Sequence, residues 1–292
     1  HHMNNNPNSV PSFDFSGEIV IQYDQRLGPM FFEPYAMEVS KRIEPLSVSL
    51  ALEIASGTGR VTRHLREKLP SSAKLIASDI SEDMLKVAKD KLGNLDITWQ
   101  IINAQHLPFD KNSIDLLVCC FGYMFVPDKP KAFAEAYRVL RPGGMLLFST
   151  WDKLEANGAD FVYRKTAKKY LEDPLPESYH LPFSMNDEQI INALLQDAGF
   201  SKIVIEKVKL NSVSPTAKEA VDGLANGGLI YKEIMKRNPA WMEEIKSSVE
   251  QELSEKFGVA PMIAPMSAVI SQAWKNFRTP IEYAEKHIPS TR

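Results

Sequence analysis

The chain has 292 residues, 44% of them hydrophobic and 24% charged, a composition that excludes collagen-like, low-complexity and wholly disordered proteins. Its 34 Lys and Arg against 37 Asp and Glu leave a net charge of −3, with no block of one sign to bind nucleic acid. The two cysteines, Cys119 and Cys120, are adjacent. They cannot staple distant segments and form no CxxC metal pattern, so a reducing, cytoplasmic setting without a metal site is expected. No apolar run approaches the ~18 residues of a membrane span.

The ends read as tails. His1 and His2 look like the remnant of an affinity tag within a polar, disordered segment to residue 18, and residues 276–292 read as a second tail. One domain is expected over 19–275, opening with an aromatic helical flap over Tyr23–Pro45 that a Gly28-Pro29 turn interrupts.

From Ser47 the apolar periodicity alternates between strand and helix. Ser47–Ala55 reads as a strand, and Arg60–Leu69 as a helix with Val61, Leu65 and Leu69 on one face. Lys74–Ser78 is the next strand, followed by a helix N-capped by Ser81 and ended by Gly93 at its C′ position. Ile97–Ile102 and Ile114–Phe121 are strands three and four. Lys131–Leu140 is a helix stopped by Arg141-Pro142-Gly143-Gly144, and Met145–Trp151 is the fifth strand.

Helices near 160–171 and 187–198, the latter ending at Gly199, lead to a strand at 202–213. A last apolar strand is expected at 264–273. Between these two strands, Ala217–Phe257 reads as a helical insertion (about 215–258), an expected lid with a Gly227-Gly228 hinge. Strands apolar throughout and separated by helices imply a doubly wound α/β fold, Rossmann-like, with a mostly parallel seven-stranded sheet.

The informative stretch is Leu52-Glu53-Ile54-Ala55-Ser56-Gly57-Thr58-Gly59, where the first strand turns into the first helix. Glycines there permit a sharp turn and close approach of a ligand to backbone N–H groups. Asp79, 20 residues beyond Gly59, ends the second strand, where an acid can accept hydrogen bonds from ribose hydroxyls. A dinucleotide fingerprint starting at Gly57 needs a third glycine at 62, and Thr62 stands there. Glu53 suits a cationic amine or sulfonium better than a pyrophosphate. S-adenosylmethionine (SAM), with a ribose, a positive sulfonium and an α-amino group but no phosphate, matches that distribution.

With Ser78-Asp79-Ile80-Ser81, Met84-Leu85, Asn103-Ala104-Gln105-His106-Leu107-Pro108-Phe109, Asp115–Phe121 and Val139-Leu140-Arg141-Pro142-Gly143-Gly144 in this order, the chain resembles the class I SAM-dependent methyltransferases. The likeness is to the group that includes the quinone-biosynthesis C-methyltransferase-like proteins, and it spans about 19–274.

The resemblance implies that Glu53 and the backbone at Ala55, Gly57, Thr58 and Gly59 cradle the methionine part, while Asp79 holds the ribose. It also implies that Ile80 and Met84 sandwich adenine, that Asn103, Ala104 and Gln105 line its edge, that Cys120 and Phe121 floor the site, and that Tyr23 in the flap closes the mouth. Ala55 replaces the usual first glycine, and Asn103 stands where an acid is common; its carbonyl oxygen can still accept.

Simpler roles exist for these residues. Glu53 can be a strand-end ion-pair partner, Asp79 a helix cap, Met84 and the cysteines core. His64 fits a solvated helix face, His106 a local hydrogen bond, and His287 the tail.

The expected function is in-line methyl transfer to a small-molecule acceptor, with His180, Tyr23 or Tyr123 available to assist deprotonation. The alternatives are a non-catalytic SAM-binding protein and a nicotinamide-dependent oxidoreductase. Nucleic-acid methylation is disfavoured by the charge balance and by the apolar Phe121-Gly122-Tyr123-Met124-Phe125.

Overall fold

In the computed structural model, residues 17–276 are described; both expected tails lie almost wholly outside them. A helical flap opens the chain: α1 (Glu18–Gln22), a π-helical stretch (Tyr23–Phe32) and α2 (Glu33–Ser40). The expected break at Gly28-Pro29 does not occur, because Pro29 sits inside the π-helical stretch, where the wider i→i+5 pattern absorbs the irregularity that proline introduces. Gly28 serves packing instead: a Cβ there would lie 2.0 Å from Arg60 Nε.

The doubly wound core follows as β1 (Leu50–Ile54), α3 (Arg60–Lys68), β2 (Lys74–Asp79), α4 (Glu82–Leu92), β3 (Thr98–Ile101), β4 (Ile114–Cys120), α5 (Lys129–Val139) and β5 (Leu140–Trp151). The Ser81 hydroxyl accepts from Met84 N–H at the start of α4, as read, whereas Gly93 after α4 stays right-handed. α5 begins two residues before its expected start, because Asp128 caps it through Lys131 N–H and Pro130 occupies its first turn. The Arg141–Gly144 stop belongs to β5, whose register against β4 shifts between Ile114 and Leu116.

Next come α6 (Gly158–Lys168), α7 (Glu177–His180), α8 (Glu188–Ala198) and β6 (Lys202–Ser214), then α9 (Ala217–Asn226), α10 (Tyr231–Arg237), α11 (Trp241–Phe257) and β7 (Met262–Trp274). The sheet order is β3-β2-β1-β4-β5-β7-β6. β7 runs antiparallel to both β5 and β6, and the remaining pairs are parallel.

Both faces of the sheet are covered. Leu52, Ile54, Leu117 and Phe148 pack under α5 and α8, while Ala51, Val118, Leu147 and Ile270 pack with the flap, α3, α6 and α9–α11. α11 buries Met242, Ile245, Val249 and Leu253, so the segment between β6 and β7 is part of the core.

Parallel strands expose their carboxyl ends together, and the order reverses between β1 and β4. The crevice at this switch point is where an open α/β sheet binds ligands. Ala55, Asp79, Phe121 and Trp151 all end or follow strands there.

Candidate functional site

A cavity of about 530 Å³ opens at that edge, within the usual range for small-molecule sites. Its walls include Gly57, Asp79, Ile80, Met84 and Ala104 at one end and Trp151, Asp160, Arg164, Phe183 and Leu224 at the other, with Tyr23, Ala55, Cys120 and Phe121 between. A smaller recess of about 40 Å³ adjoins it, lined by Tyr23, Glu53, Ser56, Thr58 and Arg60 among others.

The turn after β1 is held from several sides. Ala55 takes φ 55° and Gly57 φ 55°. Alanine thus adopts the left-handed backbone that a glycine takes at no cost, here at roughly 1–2 kcal/mol. Gly122 permits this, since a Cβ on it would lie 2.5 Å from Ala55 Cβ. Gly57 N–H donates to Asp79 Oδ2 and Ser81 N–H to Asp79 Oδ1, each at 2.8 Å. Burial nonetheless raises the Asp79 pKa.

Glu53 is 1% exposed. Its carboxylate accepts from the Thr62 hydroxyl, and burial pushes its pKa up to about 8, with Thr62 opposing and Asp79 adding to the rise. Thr62, the residue that breaks the dinucleotide pattern, is therefore the hydrogen-bond partner of Glu53.

The flap is tied down beside this turn. Thr58 Oγ1 and Lys91 Nζ each donate to Asp24 Oδ1 at 2.7 Å. Arg60 Nη2 donates to Asp24 O at 2.5 Å and Nη1 to Glu33 Oε2 at 3.2 Å. His64, expected on a solvated face, meets Glu33 Oε1 at 2.6 Å. Two buried polar atoms of the recess, Ser56 Oγ and Arg60 Nε, have no hydrogen-bond partner among the described residues. Such groups call for a partner, and in this recess a polar ligand is one that can supply it.

These observations fit SAM. The recess can take the amino-acid end, with a carboxylate meeting Ser56 and Arg60 and an ammonium supplying the countercharge that buried Glu53 lacks. Asp79 can accept from a ribose at the end of β2, and exposed Ile80 with buried Met84 offers faces for adenine.

The other expected residues fall in different places. Asn103 Oδ1 accepts from Gln105 N–H at 2.9 Å. Gln105 is 1% exposed, lies outside the cavity lining, and its Oε1 accepts from Asp128 N–H at 2.8 Å. His180 is exposed at the end of α7, its ring 4.8 Å from that of Tyr179, and does not line the cavity, although Pro182 and Phe183 do. Tyr123 is wholly buried against Phe133 and Phe148 at 4.6 and 5.2 Å, and burial raises its pKa far above the ordinary value. Among the described residues no group of three or more His, Cys, Asp and Glu side chains is placed to hold a metal ion.

The sequence reading has Phe121 and the aromatic flap but not Trp151 as their partner, nor the polar pair at the far end. Phe121 stacks on Trp151 at 4.0 Å, and Phe32 packs edge-on against Phe121 at 5.6 Å. Phe31 meets Trp151 at 6.0 Å. The signal available was the aromatic spacing of Phe31, Phe32 and Tyr35 in the flap. The pair Asp160 and Arg164, an ion pair at 2.8 Å on α6, carried no comparable signal.

Comparison with known proteins agrees with this geometry. A family profile described as a methyltransferase domain matches residues 52–148. The ubiquinone/menaquinone biosynthesis C-methyltransferase UbiE of Pseudoalteromonas translucida is 33% identical over 175 residues, covering 54% of this chain and 68% of that relative.

Among solved structures, the Haemonchus contortus phosphoethanolamine N-methyltransferase 2 complex with S-adenosylhomocysteine superposes with a TM-score of 0.56 at 18% identity. The match covers 88% of this chain, which spans only 57% of that protein. YcgJ from Bacillus subtilis gives a TM-score of 0.54 at 19% identity, over 83% of this chain and 98% of YcgJ. At these identities the structural likenesses speak to the fold. The sequence relationship goes further, and by it the chain belongs to the class I SAM-dependent methyltransferases.

Proposed function

We propose that the chain transfers the methyl group of SAM to a small, largely apolar acceptor held at the β5 end of the cavity. One observation carries this reading: a single cavity joins the motif residues Gly57, Asp79 and Met84 to a wall of Phe31, Phe32, Phe121 and Trp151. In sheet order, β2 and β5 are three strand spacings apart, about 14 Å. A cofactor laid from β2 across β1 thus leaves room over β4 and β5 for an acceptor.

SAM supplies a methyl already activated by its sulfonium, so the protein's task is to bind, align and exclude water. Ser56, Arg60 and Glu53 hold the amino-acid end, Asp79 the ribose, and Ile80, Met84 and Ala104 the base. Phe32, Phe121 and Trp151 wall the reacting end with apolar rings and keep it dry. Burial raises the Tyr23 pKa, which keeps its hydroxyl protonated and makes it a donor at the mouth, not a base. The Cys120 thiol, pushed up to about 12 by burial, stays neutral. Neither group activates an acceptor, so an acceptor that reacts here must arrive nucleophilic or lose its proton to another group.

We assign the lid role to the turn after α9. Leu224, Gly227, Gly228 and Leu229 close one side of the cavity, and a Cβ on Gly227 would lie 2.9 Å from Tyr23 N, so lid and flap meet backbone to backbone. No described helix is long and apolar enough to cross a membrane. The two free thiols favour a reducing compartment such as the cytoplasm.

The test is formation of S-adenosylhomocysteine, followed by mass spectrometry, with a panel of planar apolar phenols, enols, thiols and amines. Turnover with at least one class, lost when SAM is omitted, supports the reading. SAM binding without turnover on any class favours a non-catalytic SAM-binding protein.

A further inference from the structure

The cavity carries charged side chains at two places. Asp79 and Asp83 lie at the β2 end, and Asp160 and Arg164 lie on α6, which follows β5. The second pair follows β5, which lies three strand spacings, about 14 Å, from β2 in the sheet, and so is separate from the residues placed for the ribose and adenine. It also stands apart from the recess that fits the amino-acid end.

Arg164 is 5% exposed and rigidly held. Its Nε donates to Asp160 Oδ1 at 2.8 Å, and its Nη1 donates to the carbonyls of Ser178 and Tyr179, both at 2.8 Å. The guanidinium also lies over the Phe183 ring, 5.1 Å from its centroid. Nη1 alone staples α6 to the Ser178–Tyr179 backbone, while Nε is taken up by Asp160 on α6 itself. Arg164 Nη2 and Asp160 Oδ2 have no hydrogen-bond partner among the described residues. Two N–H donors and one carboxylate acceptor of this ion pair are thus left over at an end of the cavity otherwise walled by Phe31, Trp151, Phe183, Leu224 and Asn157, whose own amide is engaged by Asp152 O, Lys153 O and Ser267 N–H.

We propose that Asp160 and Arg164 anchor a hydroxyl group of the methyl acceptor: its O–H donates to Asp160 Oδ2 and its oxygen accepts from Arg164 Nη2. This rests on the methyl-transfer reading above. A hydroxyl satisfies both leftover groups at once. An ether or ketone serves only Arg164, a carboxylate or phosphate is repelled by Asp160, and an ammonium is repelled by Arg164. Sites built to pair a substrate hydroxyl reject analogues lacking it, because an acceptor seated over these two groups displaces their water and leaves them unpaired. The pair therefore sets specificity and register, with the apolar walls supplying most of the contact area.

The experiment titrates the protein loaded with S-adenosylhomocysteine with two planar probes, 1-naphthol and 1-methoxynaphthalene, which differ in the O–H. The expected result is binding of 1-naphthol at least ~10-fold tighter than its ether by wild type. That preference should shrink below ~3-fold in Asp160→Ala and Asp160→Asn, with S-adenosylhomocysteine affinity unchanged. Asp160→Asn keeps an oxygen for Arg164 Nε, so it preserves the staple if Asp160→Ala does not fold.

Equal affinity for the two probes in wild type, no binding of either at millimolar concentration, or a preference that survives both substitutions overturns the proposal. Failure of wild type to bind S-adenosylhomocysteine overturns instead the cofactor reading beneath it, and so the two failures are distinguished.

Discussion

The hydroxyl of Thr62, at the start of α3, donates to the buried carboxylate of Glu53 in β1. Removing that hydroxyl while keeping the shape, as in Thr62→Val, leaves the carboxyl short of a partner. Such a loss costs about 1–3 kcal/mol. The expected outcome is a lower Tm and a SAM Kd raised about 10-fold, read by calorimetry; an unchanged Kd would separate Glu53 from the cofactor.

The raised pKa of Glu53 makes a prediction about protons. Burial lifts it from 4.5 to about 8, so the folded protein holds a proton that the unfolded chain has released. Its contribution to stability is complete below the unfolded value and is lost as pH rises through about 8. A facing ammonium favours the carboxylate and reverses the shift, so SAM binding near pH 6.5 should expel about one proton, and affinity should fall by up to ~10-fold per pH unit below that. Titrations in buffers of different ionisation enthalpy measure this directly. Glu53→Gln abolishes the proton release; a buffer-independent enthalpy in wild type would contradict the pairing.

Asp24 latches the flap through Thr58 and Lys91. In Asp24→Asn the charge-assisted bonds become ordinary ones, a loss of about 1 kcal/mol. Limited proteolysis within residues 18–40 should accelerate, and SAM should dissociate faster. An unaltered cleavage pattern would show that the latch does not hold the flap.

Gly227 tests the lid more cleanly than removal of the whole insertion, since α11 is built into the core and deletion of 217–257 would expose it. A methyl group at 227 has Tyr23 N and Gln22 C within 3.0 Å. Gly227→Ala should therefore separate α9 from the flap, raising the acceptor KM several-fold with SAM affinity much less affected. A KM unchanged from wild type would remove the lid role.

Much of the architecture was legible because strands buried on both faces are continuous apolar runs and their stops are Gly, Pro or capping residues. The β1–α3 turn, Asp79 and Ser81 could be read because residue type and position at a strand or helix end signal them: Ser81 caps its own helix, and Asp79, at the end of β2, holds Ser81 N–H nearby and Gly57 N–H across the sheet edge. Harder to read were features set by distant packing. Pro29 looked like a break, yet the π-helical stretch runs through it. His180 was attractive by residue type and loop position, yet α7 turns it to solvent while Pro182 and Phe183 face the cavity. Arg164 sits in a stretch that reads only as a polar helix, and the return of Ser178 and Tyr179 over α6 is what buries it.

The central claim is the cofactor, and the most direct measurement is calorimetric titration of the protein with SAM and, separately, with NADH, beside a Glu53→Ala/Asp79→Ala double variant whose folding is checked by circular dichroism. Micromolar SAM binding by wild type, absent in the folded double variant and unmatched by NADH, is the predicted result. NADH binding in preference to SAM, or SAM affinity undiminished in the double variant, would contradict it.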